Sequence, residues 1–598
     1  MDKKKFGAYL TGLRCRNHVT QRQLGHYVGV SNQIISKWER GVTLPDAESI
    51  LLLSRFFGIT ADALLDLRAL ESPPPSARGS VPLSPLPEGK PSVRRAPRSE
   101  TPARNLLPSL SVEITGDYFC TWAMQKEVAL RHGMTGLHGV AQREALTWGD
   151  LCDGGSLYHT LPREVRGGLL FLVDDGWDVP LGAPSPYDNT KCYGSLVPDP
   201  GKFGGLGKDA ASRLRNLSER VKELGYAGLG LWIAAERAGK SPDETHRFYE
   251  THAKRHAAAG VRYWKVDWGD FSHDMNYRRI LGEEVKKNAP DLWVEHCVPQ
   301  RALSVYEREP DFFERRARET EEILPFSDVF RVYDVAPPFE EITVLARLHE
   351  ALLLSRKMKK REGYRGLLSA EWCAVIAAAL GCTLGMMKVT DEGCAALRFH
   401  RLSPPFGVSE ADYRFSEETM TDSLYYEADE KPWLSTAGRM LSETAPAVMA
   451  RGCPLPEVSP CGEERPFVLA SRNPRTGVYA IATLARTVDP NLSRILPADI
   501  TLSVEGNIVT VGVFGFFHSL TLRLDRAIGD ARVLGQCLLS EKSEDMTTFI
   551  SINGNELRID GREIRRFGKR ACLVADRTAP MLLLRIEPRK TSRKEEKS

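Results

Sequence analysis

From about residue 111 the chain alternates short apolar runs with longer stretches in which apolar positions recur at helical spacing. The apolar runs are "YFCTW", "GGLLFLVDD", "GLGLWIAAE", "VRYWKVD" and "LWVEHCV". Between them lie amphipathic stretches such as "AASRLRNLSERVKELGYA" and "DETHRFYETHAKRHAAAG". Continuous apolar strands alternating with amphipathic helices predict parallel βα units. Repetition over at least five units favours a closed (β/α)₈ barrel over an open sheet. The pattern changes near residue 455. "RPFVLASRNPRTGVYAIATLA", "DITLSVEGNIVTVGVFGFF" and "TTFISINGNELRID" alternate at period two around turn residues, which predicts an antiparallel β-sandwich.

Ahead of the barrel the texture differs again. Leu24, Val28, Ile35 and Trp38 recur at helical spacing, and Gly29 falls in a turn, predicting an all-α helix-turn-helix unit over 1–68. Residues 69–110, dense in Pro, Ser and Arg, read as a linker unable to bury enough surface to order itself. The predicted organisation is therefore helix-turn-helix, linker, TIM barrel over 111–452, sandwich over 453–588 and a basic tail over 589–598.

Composition adds only bounds. A chain of 598 residues exceeds one ordinary core. Its net charge of +3 is too small to imply a nucleic-acid partner globally, so such binding needs a local module. The twelve cysteines lack paired spacing, and no metal or other cofactor is expected. The N-terminus does not read as a secretory signal, and "WCAVIAAALGCTLGMM" is too short to span a bilayer, reading instead as a buried helix and strand. A reduced, cytoplasmic protein without membrane contact is the expectation.

Barrel chemistry sits where strands end. The apolar runs end in Asp174 and Asp175, in Trp232 near Glu236, in Lys265 and Asp267, in Glu295, His296 and Cys297, and the sixth segment supplies Asp328, Arg331 and Asp334. A lone strand-end aspartate is usually a helix cap. Several converging carboxylates repel one another and point to function. Glycoside hydrolysis is the reaction that uses such a set.

"VDDGWD", "GSLVPDPGKFGGL", "GLWIAAE", "YWKVDWGDF" and "FRVYDVAPPF", in that order, resemble the α-galactosidase-like glycoside hydrolases of families 36 and 27. The resemblance implies a retaining enzyme acting on terminal α-galactosides. It implies Asp267 as nucleophile, Asp334 as acid/base with Arg331 nearby, and Asp174 and Asp175 as acceptors for sugar hydroxyls. Lys265 is implied as a sugar-binding lysine, and Trp177 and Trp232 as apolar walls. "EHCVPQR" stands where many family 36 members carry a glycine-rich loop, which makes Cys297 a candidate for contact at the sugar's C2. Transfer to an acceptor sugar is open to the same site, as is a silent barrel that only senses a galactoside for a transcription regulator.

The segment "TQRQLGHYVGVSNQIISKWERGVTLPDAESILLLSRFFGIT" resembles the Cro/C1-type (XRE) family. That resemblance implies double-stranded DNA as partner, a homodimer, and a second helix reading bases through Ser31, Asn32, Gln33, Ser36 and Lys37. Gln21 would hold a phosphate.

Overall fold

The computed structural model describes residues 3–16, 32–46 and scattered positions up to 64 of the N-terminal segment, and most of 104–588. The longer gaps in the second part are 110–112, 135–138, 153–160, 184–192, 237–240, 299–311, 333–339, 427–438 and 570–578. Two compact units result, one formed mainly by residues 1–98 and the other by nearly all of 99–598.

In the first unit, helices Lys3–Arg16 and Asn32–Glu39 enclose Phe6, Leu10, Leu13, Leu24, Val28, Ile35 and Trp38. These include the four positions whose spacing predicted the helices. Gly7 allows their close approach, since a Cβ there would lie 2.4 Å from the Glu39 carbonyl oxygen. Glu39 also accepts from Arg14 Nη2 at 3.1 Å, which fixes the end of the second helix against the first.

The second unit is built on eight parallel strands: β1 Tyr118–Cys120, β2 Leu170–Val173, β3 Gly228–Ile233, β4 Val261–Val266, β5 Trp293–His296, β6 Val329–Arg331, β7 Leu367–Ser369 and β8 Gly385–Met386. They follow one another around the sheet, and β8 returns to pair with β1. A bridge between Ser369 and Thr383 joins β7 to the segment entering β8. Asp117 Oδ1 accepts the Leu384 amide at 2.8 Å and fastens the β1–β8 seam. The predicted amphipathic stretches form helices Ala210–Glu223 and Pro242–Ala258. Each opens on a capping box, Asp209 with Ser212 and Ser241 with Glu244.

Strand alternation sorts side chains onto two sides. On β4, Tyr263 lies in the inner cluster, while Trp264 and Val266 join the layer between strands and helices. On β2, Leu170 and Leu172 point in and Phe171 and Val173 point out. Continuing that alternation sets Lys265, Asp267 and Asp174 on the inner side at the strand ends.

The C-terminal part has an eight-stranded and a five-stranded sheet. Two differences from the sequence reading appear. The larger sheet takes in Tyr413–Phe415 and Val448–Arg451, so it begins before residue 453. It is also mixed, because Val448–Arg451 pairs in parallel with Phe467–Arg472, and Tyr479–Leu484 with Val509–Phe514. A hairpin-only pattern cannot be told from such crossovers by period-two alternation.

The helix Ala374–Leu380 and the β8 strand occupy the long uncharged run, as expected. Arg451, 1% exposed, reaches the end of that helix. Its guanidinium donates to the carbonyls of Leu380 at 2.6 Å and of Phe406 and Gly407 at 3.1 Å. No helix among the described residues is long and apolar enough to cross a membrane.

Gly381 ends the helix in the left-handed region at φ 64°, and a Cβ there would sit 2.0 Å from the Phe406 ring. Gly381→Ala is therefore expected to cost about 2–4 kcal/mol of stability, from strain and overpacking together. Urea denaturation measures it, and a loss below about 0.5 kcal/mol would contradict this account.

Candidate active site

Asp267 follows β4 on the inner side, 8% exposed. Its amide donates to the Ile233 carbonyl at 3.0 Å, and its own carbonyl accepts from Arg278 Nη2 at 2.8 Å, so the backbone is held on both sides. Arg331 Nη2 donates to Asp267 Oδ1 at 3.0 Å, and Trp232 Nε1 donates to Oδ2 at 3.1 Å. Both carboxylate oxygens are thereby held in place.

Lys265, two residues back, is fully enclosed. Nζ donates to Asp174 Oδ2 at 3.3 Å and to Glu371 Oε1 at 3.0 Å. Burial alone would lower its pKa, but Asp174 and Glu371 outweigh burial and hold it well above the usual lysine value. The ammonium thus grips Asp174 and Glu371, and Arg331 is the cation on Asp267.

Asp174 also accepts from Cys120 Sγ at 3.0 Å, and its amide donates to Thr121 Oγ1 at 2.9 Å. Asp175 is held by Arg143, whose Nε donates to Oδ2 at 2.8 Å. Its other oxygen, Oδ1, is buried without a hydrogen-bond partner among the described residues. Burial pushes its pKa up to about 6, against the pull of Arg143. Arg143 in turn lies against the rings of Trp122, Tyr193 and Trp268.

Glu371, just past β7, was not singled out by the sequence reading. Oε1 accepts from Lys265 and from the Tyr118 hydroxyl at 2.8 Å, and Oε2 accepts from Arg331 Nη1 at 3.0 Å. Burial raises its pKa, but Lys265 and Arg331 outweigh burial and keep it below the usual value. The available signal was its place at the end of "LLSAEW", the seventh strand, which the uncharged run after it concealed.

Glu295 lies one layer deeper, opposite Lys265 in the β4–β5 register. Tyr263 donates to Oε2 at 2.9 Å and Tyr118 lies 3.4 Å from Oε1. Burial, reinforced by Glu371, pushes its pKa up to about 7. Cys297 is completely buried beside it, its thiol pushed up by burial.

Other predicted residues fall elsewhere. Trp177 is corrected: it packs in the strand–helix layer, 1% exposed, and donates from Nε1 to the Trp232 carbonyl at 2.6 Å. Its ring faces His256 and is no sugar-facing wall. Trp232 does lie on the inner side. Asp328 precedes β6 at the opposite end of the barrel, where its Oδ1 accepts from Arg365 Nη1 at 2.7 Å. Asp334 lies outside the described residues.

In the N-terminal unit, Gln33 and Lys37 are exposed on helix Asn32–Glu39 and Ser36 is half-buried. Ser31 and the side chain of Asn32 lie outside the described residues. Gln21 Nε2 donates to Glu39 Oε2 at 2.7 Å inside the unit.

Among the described residues, one group could converge on a cation: Cys461, Asp499 and His518 of the C-terminal part, with donor atoms within 4.8 Å of one another. Asp499 there already accepts from Arg558 at 3.2 Å, which disfavours a second positive charge.

Comparison with known proteins divides along the same lines. Residues 13–64 match the helix-turn-helix family model. The HTH-type transcriptional activator BcrR of Enterococcus faecalis is 43% identical over 61 residues, covering 10% of this chain and 30% of that protein. Repressor protein C2 of Salmonella phage P22 is 38% identical over 65 residues, covering 11% and 30%. The chain thus spans under a third of the length of these curated relatives. Among solved structures, a GH27 β-L-arabinopyranosidase from Geobacillus stearothermophilus aligns with 71% of this chain and 89% of its own, at 10% identity and a TM-score of 0.33.

Glu295 gives this cluster a pH signature. Its folded pKa is raised above the unfolded value, so its contribution to stability is present at low pH and lost as pH rises through about 7. Glu295→Gln should therefore reduce the stability lost between pH 5 and 8 by about 1–3 kcal/mol, read by urea denaturation at both pH values. Identical pH dependence in the two proteins would remove Glu295 as the cause.

Proposed function

We propose that the barrel is a retaining glycoside hydrolase acting on terminal α-galactosides, carried on the same chain as a domain that binds double-stranded DNA. The observation that supports it most is the Asp267 carboxylate. It stands at the inner end of β4, held by hydrogen bonds from Arg331 and Trp232, in a ring of buried carboxylates. The order of the motifs along the chain, which resembles families 36 and 27, supplies the substrate class.

In this reading an Asp267 oxygen attacks the anomeric carbon as the bond to the aglycone oxygen breaks, and Asp334 gives that oxygen its proton. Asp334 then takes a proton from water, which attacks the glycosyl–Asp267 ester and releases the sugar with its configuration retained. Asp174 and Lys265 offer an acceptor and a donor to sugar hydroxyls. Asp175 is engaged by Arg143, so contact between its unpartnered Oδ1 and a hydroxyl would relieve a buried orphan acceptor.

A screen over activated aryl α-glycosides tests the barrel. Turnover of the α-galactoside is expected, with loss of about 10³-fold or more in Asp267→Ala. Full activity in that variant would remove Asp267 as nucleophile. Galactose binding without turnover by the wild type would favour a sensor over an enzyme.

For the N-terminal domain we propose base contact by the exposed face of Asn32–Glu39. On a duplex selected from random sequence, Gln33→Ala should weaken binding by about 1–3 kcal/mol and relax preference at one or two positions. Unchanged affinity and preference at matched salt would exclude that contact.

A further inference from the structure

The Arg331 guanidinium is shared. Nη2 donates to Asp267 Oδ1 and Nη1 donates to Glu371 Oε2, each at 3.0 Å. An arginine facing one carboxylate prefers the bidentate fork, with an N–H on each oxygen. Here the fork is divided because Glu371 holds one of its tines. Glu371 is itself anchored: Lys265 Nζ and the Tyr118 hydroxyl both donate to its Oε1, at 3.0 and 2.8 Å, and it is 4% exposed. It therefore cannot turn away without leaving two cations and a tyrosine hydroxyl short of a buried acceptor.

The consequence falls on Asp267. Its Oδ1 carries the charge-assisted bond, while Oδ2 receives the neutral indole N–H of Trp232 at 3.1 Å. The two oxygens are made unequal. A carboxylate oxygen that accepts from a neutral donor keeps more of its electron density than one that accepts from a guanidinium.

We propose that Glu371 is a positioning residue that divides the Arg331 fork and so reserves Asp267 Oδ2 as the attacking oxygen. This rests on the hydrolase reading given above. Glu371 touches no reacting atom; it acts through Arg331. In the step concerned, the Oδ2 lone pair forms the bond to the anomeric carbon, the bond to the aglycone oxygen breaks, and the electron pair leaves on that oxygen, which takes the proton of Asp334. Oδ1 stays on Arg331 throughout, so the resulting ester keeps its carbonyl oxygen hydrogen-bonded to the cation.

Without Glu371, Arg331 Nη1 loses its carboxylate partner and the guanidinium can turn further towards Asp267. The carboxylate would then be more strongly stabilised and less nucleophilic. With an activated aryl α-galactoside and the full chain, Glu371→Gln is expected to lower kcat/KM at least about tenfold. The acidic limb of its pH profile should move to lower pH. Glu371→Asp, which keeps the buried charge but is one methylene too short to reach both cations, should move the limb the same way by less. Circular dichroism and the urea midpoint check that both variants fold.

A folded Glu371→Gln with an unmoved acidic limb overturns the proposal, whether activity persists or falls, because a merely structural role lowers activity without moving that limb. Unfolding of Glu371→Gln passes the decision to Glu371→Asp on the same criterion. No turnover by the wild type overturns the hydrolase reading and this proposal with it, an outcome distinct from an active wild type with an unmoved limb.

Discussion

Five carboxylates, those of Asp174, Asp175, Asp267, Glu295 and Glu371, are buried at one end of one barrel. At about 4 Å, two like charges repel by roughly 4 kcal/mol even at an effective dielectric of about 20. The structure around them follows from relieving that repulsion. Lys265 is shared by Asp174 and Glu371, Arg331 by Glu371 and Asp267, and Arg143 serves Asp175. Glu295 takes the other route: with no cation in direct contact among the described residues, its proton is held more tightly and two tyrosine hydroxyls face its oxygens. Three cations and one retained proton keep the group near balance.

Alternation along the strands brings this about. On β4 every second residue from Tyr263 points inward, so the aromatic hydroxyl, the ammonium and the Asp267 carboxylate come in rising layers. The neighbouring strands deliver Glu295 and Arg331 at matching heights. The aromatic residues between them line a wall of low polarity, within which each ion pair is stronger than it would be in water. Packing and electrostatics are therefore one problem here. Lys265 and Arg331 each bridge two of the buried carboxylates, so a change at either reaches both of its partners.

Much of this was legible along the chain. The parallel strands, the helices between them and the inward Asp174, Lys265, Asp267 and Arg331 follow from period and position. What stayed hidden depends on contacts between distant segments. Glu371 meets Lys265 across 106 residues and Arg331 across 40, and nothing local to "LLSAEW" records it. Arg143 reaches Asp175 from a short helix whose sequence shows no strand. Trp177 was placed by motif, yet the outward side of β2, Phe171 and Val173, already continues toward it. In the N-terminal unit the pattern gave the core, while the bond from Gln21 to Glu39 needed the fold to appear.

Arg451 carries a different consequence. It sits on a strand of the C-terminal sheet and closes the carbonyl end of a barrel helix. Removing that sheet would uncover the helix terminus as well as the apolar surface beside it, and the last turn before β8 would lose its hold. β8 closes the barrel against β1. The seam of the barrel is thus tied to a strand that comes 65 residues after it in the chain (386 to 451). Heat or denaturant should find a single melting body here, so a protease fragment ending at the last barrel strand would be a poor guide to the intact protein.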